Sequence, residues 1–197
     1  MKTRYALRED EYSRLKLQPR CHLAGFALYK GSPESQHAIL GEDHSQPAAL
    51  AVYFALDKLV EAGKKTLVIG ETPYHGRDYT IKNVSDAFAS RERLVGWPDK
   101  TINLLLERGA HLVMHDSSRL LRLSTEVRKD DEEFMRISAH RDAKQASLFS
   151  DKTKEYERVI GIYGSLHVLS PVLDRMLEKI NLARYVFVGF RDPSDAE

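Results

Sequence analysis

The chain predicts an α/β fold: one domain with a largely parallel central sheet, flanked by helices, with its site at the strand carboxyl ends. Two observations carry this. Short apolar runs alternate with helical stretches, the pattern that buries a parallel sheet on both faces. Several of those runs stop at glycine and then turn polar, as in Gly41-Glu42-Asp43-His44, Gly70-Glu71 and Gly164-Ser165-Leu166-His167. Open α/β sheets place their sites at such strand ends. At 197 residues the chain suits a single domain able to bury its own core.

Taken in order, residues 5–16 read as a short polar helix and Cys21 to Tyr29 as a first strand closed by Lys30-Gly31-Ser32-Pro33. Residues 1–30 are expected to form an amino-terminal extension of the domain. His37 to Leu40 is a short buried strand. Pro47 to Ala62 is a helix with Pro in its first turn, Val52, Leu56, Leu59 and Val60 on one face, and Gly63 after its end. Thr66 to Ile69 is a continuous apolar run, short enough for a strand covered on both faces. A helix is expected over Thr101 to Arg108 and a strand over His111 to Asp116. From Asp130 a long helix begins, its acidic start favoured by the positive end of the helix dipole. Phe134, Ile137 and Leu148 form its apolar stripe, and the 3.6-residue period puts Arg141 in that stripe. An arginine there either snorkels outward or aims at something acidic. Val159 to Tyr163 and Tyr185 to Phe190 read as strands separated by a helix over Pro171 to Leu182. Residues 191–197 read as a frayed charged tail.

Composition removes several function classes. The 30 basic and 29 acidic residues nearly cancel, so there is no net charge to hold nucleic acid or an anionic membrane. A single cysteine, Cys21, excludes an internal disulfide framework and a multi-cysteine zinc site. The charged stretch Met1 to Lys16 does not suit a secretory signal, and no apolar run reaches the roughly 18 residues of a membrane span. A cytoplasmic location, or delivery by a specialised secretion apparatus, is expected. Neither a Gly-x-Ser-x-Gly elbow nor a phosphate-binding or dinucleotide-binding glycine fingerprint is present.

Glu42, His44, Glu71, Asp116 and His167 lie at or just past strand ends, which a parallel sheet gathers along one edge. Carboxylates beside imidazoles permit two chemistries. A histidine held in one tautomer by a carboxylate can act as general base on water. The same oxygens and nitrogens can bind a divalent metal that acidifies its water. As plainer alternatives, Glu42 and Glu71 would be helix caps, and Tyr74 and His75 would either line the pocket mouth or decorate a turn. His22 and His37 are read as structural, and His111, His115 and His140 have no partner evident in the sequence.

In order along the chain, Gly41-Glu42-Asp43-His44, Gly70-Glu71, Arg141-Asp142 and Gly164-Ser165-Leu166-His167 make up a pattern. It resembles that of a superfamily containing the erythromycin esterases, the ChaN-like haem-binding lipoproteins and the Tiki and TraB proteins. The resemblance spans about residues 37 to 170. It implies a strand-end cleft with two glutamates and two histidines, toward which Arg141 reaches while Asp142 braces the helix or loop beside it. In the esterase branch the histidine matching His44 activates water; in the Tiki branch a divalent metal assists peptide hydrolysis; the ChaN branch binds haem. Related domains also occur within bacterial toxins.

Together these readings point to a hydrolase of an ester or amide, acting on a small molecule or peptide. His44 would be general base or metal ligand, Glu42 and Glu71 would orient it or bind metal, His167 would be the second imidazole, and Arg141 would stabilise negative charge. The metal would be Mn, Co or Zn, held by Glu42, His44, Glu71 and His167. The chain is shorter than the esterases, with no room for a large helical lid, so the substrate would be of modest size. The alternatives are a haem or small-ligand module using His44, Tyr74, His75 or His167, and an effector or toxin domain that keeps the fold.

Overall fold

In the computed structural model, which describes residues 22–71, 99–115, 120, 123, 126–127 and 131–189, seven strands form one sheet. They are β1 (His22–Leu23), β2 (Phe26–Lys30), β3 (His37–Glu42), β4 (Thr66–Gly70), β5 (His111–Met114), β6 (Arg158–Gly164) and β7 (Leu182–Phe187). The order across the sheet is β1-β2-β7-β3-β6-β4-β5. From β7 to β5 every pairing is parallel, while β1 and β2 add an antiparallel edge through β7. This is a largely parallel α/β domain, as the alternation of runs predicts.

Both faces are covered. On one lie α1 (Gln46–Leu59) and α2 (Asp99–Glu107), packed over Leu40, Val68, Leu112, Ile160 and Ile162. On the other, Ile39, Ile69, Val159 and Val186 meet α3 (Asp131–Lys152), α4 (Ser165–Val168) and α5 (Pro171–Met176) through Ala146, Phe149, Val168 and Leu173. The α1 helix follows from its sequence. Ser45 accepts the Ala48 N–H at 3.2 Å as amino-terminal cap, Pro47 occupies the first turn, and Ala48, Ala51, Val52, Ala55 and Leu56 bury at helical spacing. Helix α3 buries Ile137, Arg141, Asp142, Gln145, Ala146 and Phe149 along one face.

The structure revises several expected boundaries. The first strand is a hairpin, because Ala24 and Gly25 take left-handed φ values of 46° and 92° and turn the chain between β1 and β2. Residues 22–30 therefore belong to the sheet rather than to an extension outside it. The expected helix ending at Ala62 stops at Leu59, where Val60 turns extended and buries completely. The helix expected over 171–182 stops at Met176, and the last strand starts at Leu182 rather than Tyr185. A buried arginine disguises that strand: Arg184 interrupts the apolar run yet is only 3% exposed. The expected helix over 5–16, Tyr74, His75, Asp116 and the tail from 191 lie outside the described residues. Among the described residues no helix is long and apolar enough to cross a membrane.

Candidate functional site

Strand register brings the distant motifs together. Glu42 stands opposite Gly164 at the β3–β6 ladder end, and Gly70 stands opposite Ile162 between β4 and β6. The Glu71 N–H then donates to the Ile162 carbonyl at 3.0 Å, carrying the β4 pairing one residue past the strand. Glu42, Gly164 and Glu71 thus share one edge. Glycine at 164 leaves the space between them open. A β-carbon there would lie 3.6 Å from His44 Nε2, 3.6 Å from Glu71 Oε2 and 3.5 Å from His167 Cδ2. The two histidines, 123 positions apart in sequence, therefore border one small hollow beside Gly164, with room for about one added carbon.

His44 and Glu42 form a local clamp. The chain takes a left-handed turn at His44, φ 60°, which folds its side chain back toward the preceding strand end. Glu42 Oε1 then meets His44 Nδ1 at 2.6 Å, and Glu42 Oε2 accepts the His44 backbone N–H at 2.7 Å. With Nδ1–H donated, the free lone pair sits on Nε2, the atom that faces the hollow. The His44 side chain is 63% exposed and Glu42 only 12%. The hydrogen bond to Glu42 raises the imidazole pKa above its ordinary 6.5; burial opposes this, and the charges of Glu42 and Glu71 add to it. Among the described residues neither glutamate is itself a helix cap residue: Ser45 caps α1, and Glu71 accepts the N–H of Gly164, the residue before α4.

Glu71, Arg141, His167 and Asp142 form a buried charge chain. Glu71 Oε1 pairs with Arg141 Nη2 and lies 3.4 Å from His167 Nε2, while Oε2 accepts the Gly164 N–H at 2.8 Å. On its other side His167 Nδ1 donates to Asp142 Oδ1. These four side chains are at most 10% exposed. Burial alone would raise the Glu71 carboxyl, but His167, Arg141 and the Gly164 N–H hold it well below the usual carboxylate range. Burial would likewise lower His167; Glu71 and Asp142 outweigh it and push the imidazole up to about 10. His167 is therefore an imidazolium at neutral pH, and both its ring nitrogens are donors.

Arg141 aims inward at Glu71, the second of the two alternatives its place in the apolar stripe leaves open. Asp142, expected only to brace its helix, is instead the carboxylate that holds His167. A signal for this was present: Asp142 sits four and seven residues before buried Ala146 and Phe149, so a carboxylate shares a buried face. His37, read as structural, accepts the Val159 N–H on Nδ1 at 3.0 Å, at the opposite end of the sheet. His111 has a partner after all, its Nδ1 lying 2.8 Å from the Tyr156 hydroxyl.

As arranged, these donors are committed to one another: the Glu71 and Glu42 oxygens are engaged by Arg141, His167, Gly164 and His44, and the His167 ring nitrogens face Asp142 and Glu71, so a divalent metal would have to displace these contacts. Among the described residues no group of three or more His, Cys, Asp or Glu is placed to hold a metal ion. Two of the side chains expected to contact haem, Tyr74 and His75, lie outside the described residues. No family model, curated protein or solved structure matches the chain.

Proposed function

We propose that the cleft hydrolyses an ester or amide of modest size, with His44 as general base. The observation that carries this reading is the Nε2 atom of a carboxylate-clamped imidazole facing a hollow kept open by Gly164. Water bound at Nε2 gives its proton to His44 as its oxygen bonds to the substrate carbonyl carbon. Glu42 stabilises the resulting imidazolium and keeps the ring in place. When the tetrahedral carbon collapses, its bond to the leaving oxygen or nitrogen breaks and the His44 proton passes to that atom. Arg141 would favour negative charge on the carbonyl oxygen by its position rather than by a net positive field, since Glu71 and Asp142 balance the charges of Arg141 and His167 within the buried cluster.

His167 is a fixed charge in this scheme rather than a second base. The resemblance to the erythromycin esterase branch supports His44 as the residue that activates water. The test is His44→Ala and His167→Ala, assayed on a panel of esters with and without Mn, Co or Zn. Losing the general base should cost ~100-fold or more in kcat, and added metal should not restore it. Turnover unchanged in both variants refutes the reading, and turnover that depends on added metal replaces it with a metal-assisted one.

A further inference from the structure

Helix α4 carries His167 but has only four residues, too few to fix its own position. Two features outside it do so. The first is Gly41, one residue before Glu42. A β-carbon at Gly41 would lie 2.8 Å from Val168 Cγ2 and 3.2 Å from Ser165 Cα, so α4 rests directly on β3 where β3 lacks a side chain. The second is Arg184 on β7, which is 3% exposed. Its Nη1 donates at 2.9 Å to the carbonyl of Val168, the residue after His167 and one that a single helical turn cannot satisfy internally. Its Nη2 pairs with Asp174 of α5, and its guanidinium lies 5.3 Å from the Tyr29 ring centre. Asp174 is tied in turn to Lys30 of β2 at 2.8 Å.

We propose that Arg184 is a positioning residue: by anchoring Val168 to β7 and Asp174, it sets where His167 stands between Asp142 and Glu71. Burying a guanidinium is costly, and helix packing alone has no need of one. Its planar fork does what an apolar side chain could not, joining the end of α4 and the start of α5 to one strand. Gly41 fixes how near α4 comes to β3, and Arg184 fixes where along that groove it stops. The position of His167 relative to Glu71 and Asp142 is thereby set from β7, outside the cleft itself.

The proposal rests on the hydrolytic reading only for its kinetic readout. The test compares Arg184→Met and Arg184→Lys with the parent chain by imidazole proton and nitrogen NMR, with His37 at the far end of the sheet as reference. In Arg184→Met the His167 Nδ1–H signal should move upfield or vanish while the His37 signal stays. For the best ester, kcat should fall ~10-fold to 100-fold with KM little changed, and Arg184→Lys, which keeps a charged donor group but not the planar fork, should recover part of both. A folded Arg184→Met chain with the parent His167 signal overturns the proposal. If Arg184→Met also loses its His37 signal it has unfolded, and Arg184→Lys decides by the same His167 signal. If the parent turns over no ester, the hydrolytic reading fails, while the NMR comparison still judges Arg184.

Discussion

His44 combines three demands in one position. Its left-handed backbone costs an L-residue about 1–2 kcal/mol, although histidine accepts that region more readily than branched side chains do. The turn lets both oxygens of Glu42 engage His44, one on the ring and one on the backbone. Because Glu42 raises the imidazole pKa, and only the neutral ring accepts a proton, kcat/KM should rise with pH through a midpoint above 6.5. Glu42→Gln should move that midpoint to lower pH and reduce the plateau, since the amide no longer stabilises an imidazolium. A pH–rate profile unaffected by Glu42→Gln removes the dyad. Gly164 offers a complementary test. Its φ of −57° suits alanine, and the added methyl would meet its neighbours at ordinary contact distances of 3.5 to 3.6 Å. Gly164→Ala should therefore keep thermal stability within about 0.5 kcal/mol of the parent while occupying the space the reacting water needs. Full activity in that variant would show the reaction happens elsewhere.

At the scale of elements, α4 makes the sharpest prediction. Gly41→Ala places a methyl against Ser165 backbone, which cannot rotate away as a side-chain tip could. We expect a loss of about 1–3 kcal/mol, the usual cost of overpacking, measured by denaturant unfolding, together with a fall in kcat. A neutral outcome would mean that α4 is free to shift. The elements also show what the sequence makes legible. Helix α1 is readable because cap, proline and apolar spacing agree. The boundary between α5 and β7 is not, because Arg184 breaks the apolar run that marks a strand, and its Val168 and Asp174 partners are set only by tertiary packing. The β1–β2 turn is hidden for a related reason: alanine gives no hint of the positive φ it adopts at position 24.

For the whole molecule, two histidines at opposite ends of the sheet give stability opposite dependences on pH. His37 accepts a backbone N–H, and burial and Arg158 lower its pKa, so the fold prefers it neutral. Its contribution is present above the unfolded value near 6.5 and is lost as pH falls through the lower folded value. His167 is raised to about 10, so its contribution is complete below 6.5 and is lost as pH rises toward 10. Thermal unfolding followed from pH 5 to 10 should decline at both ends, with Asp142→Asn flattening the alkaline side. A melting temperature constant from 6.5 to 10 would contradict the buried imidazolium. The convergence of His44 with His167 was legible from the strand-end motifs and the rule that parallel strands share an edge. That Asp142 and Glu71 flank the His167 ring while Glu42 clamps the His44 ring was not, because those contacts are set by tertiary packing.

The position of β3 bears on how the chain is made. It lies between β6 and β7, yet it is synthesised more than a hundred residues before either. While the polypeptide emerges, His37-Ala38-Ile39-Leu40 has both of its native ladder edges unmatched until β6, and after it β7, has left the ribosome. Pairings so distant along the sequence slow folding and leave apolar edges open to wrong partners. Chaperone capture of nascent chains truncated before β6 should accordingly centre on β3.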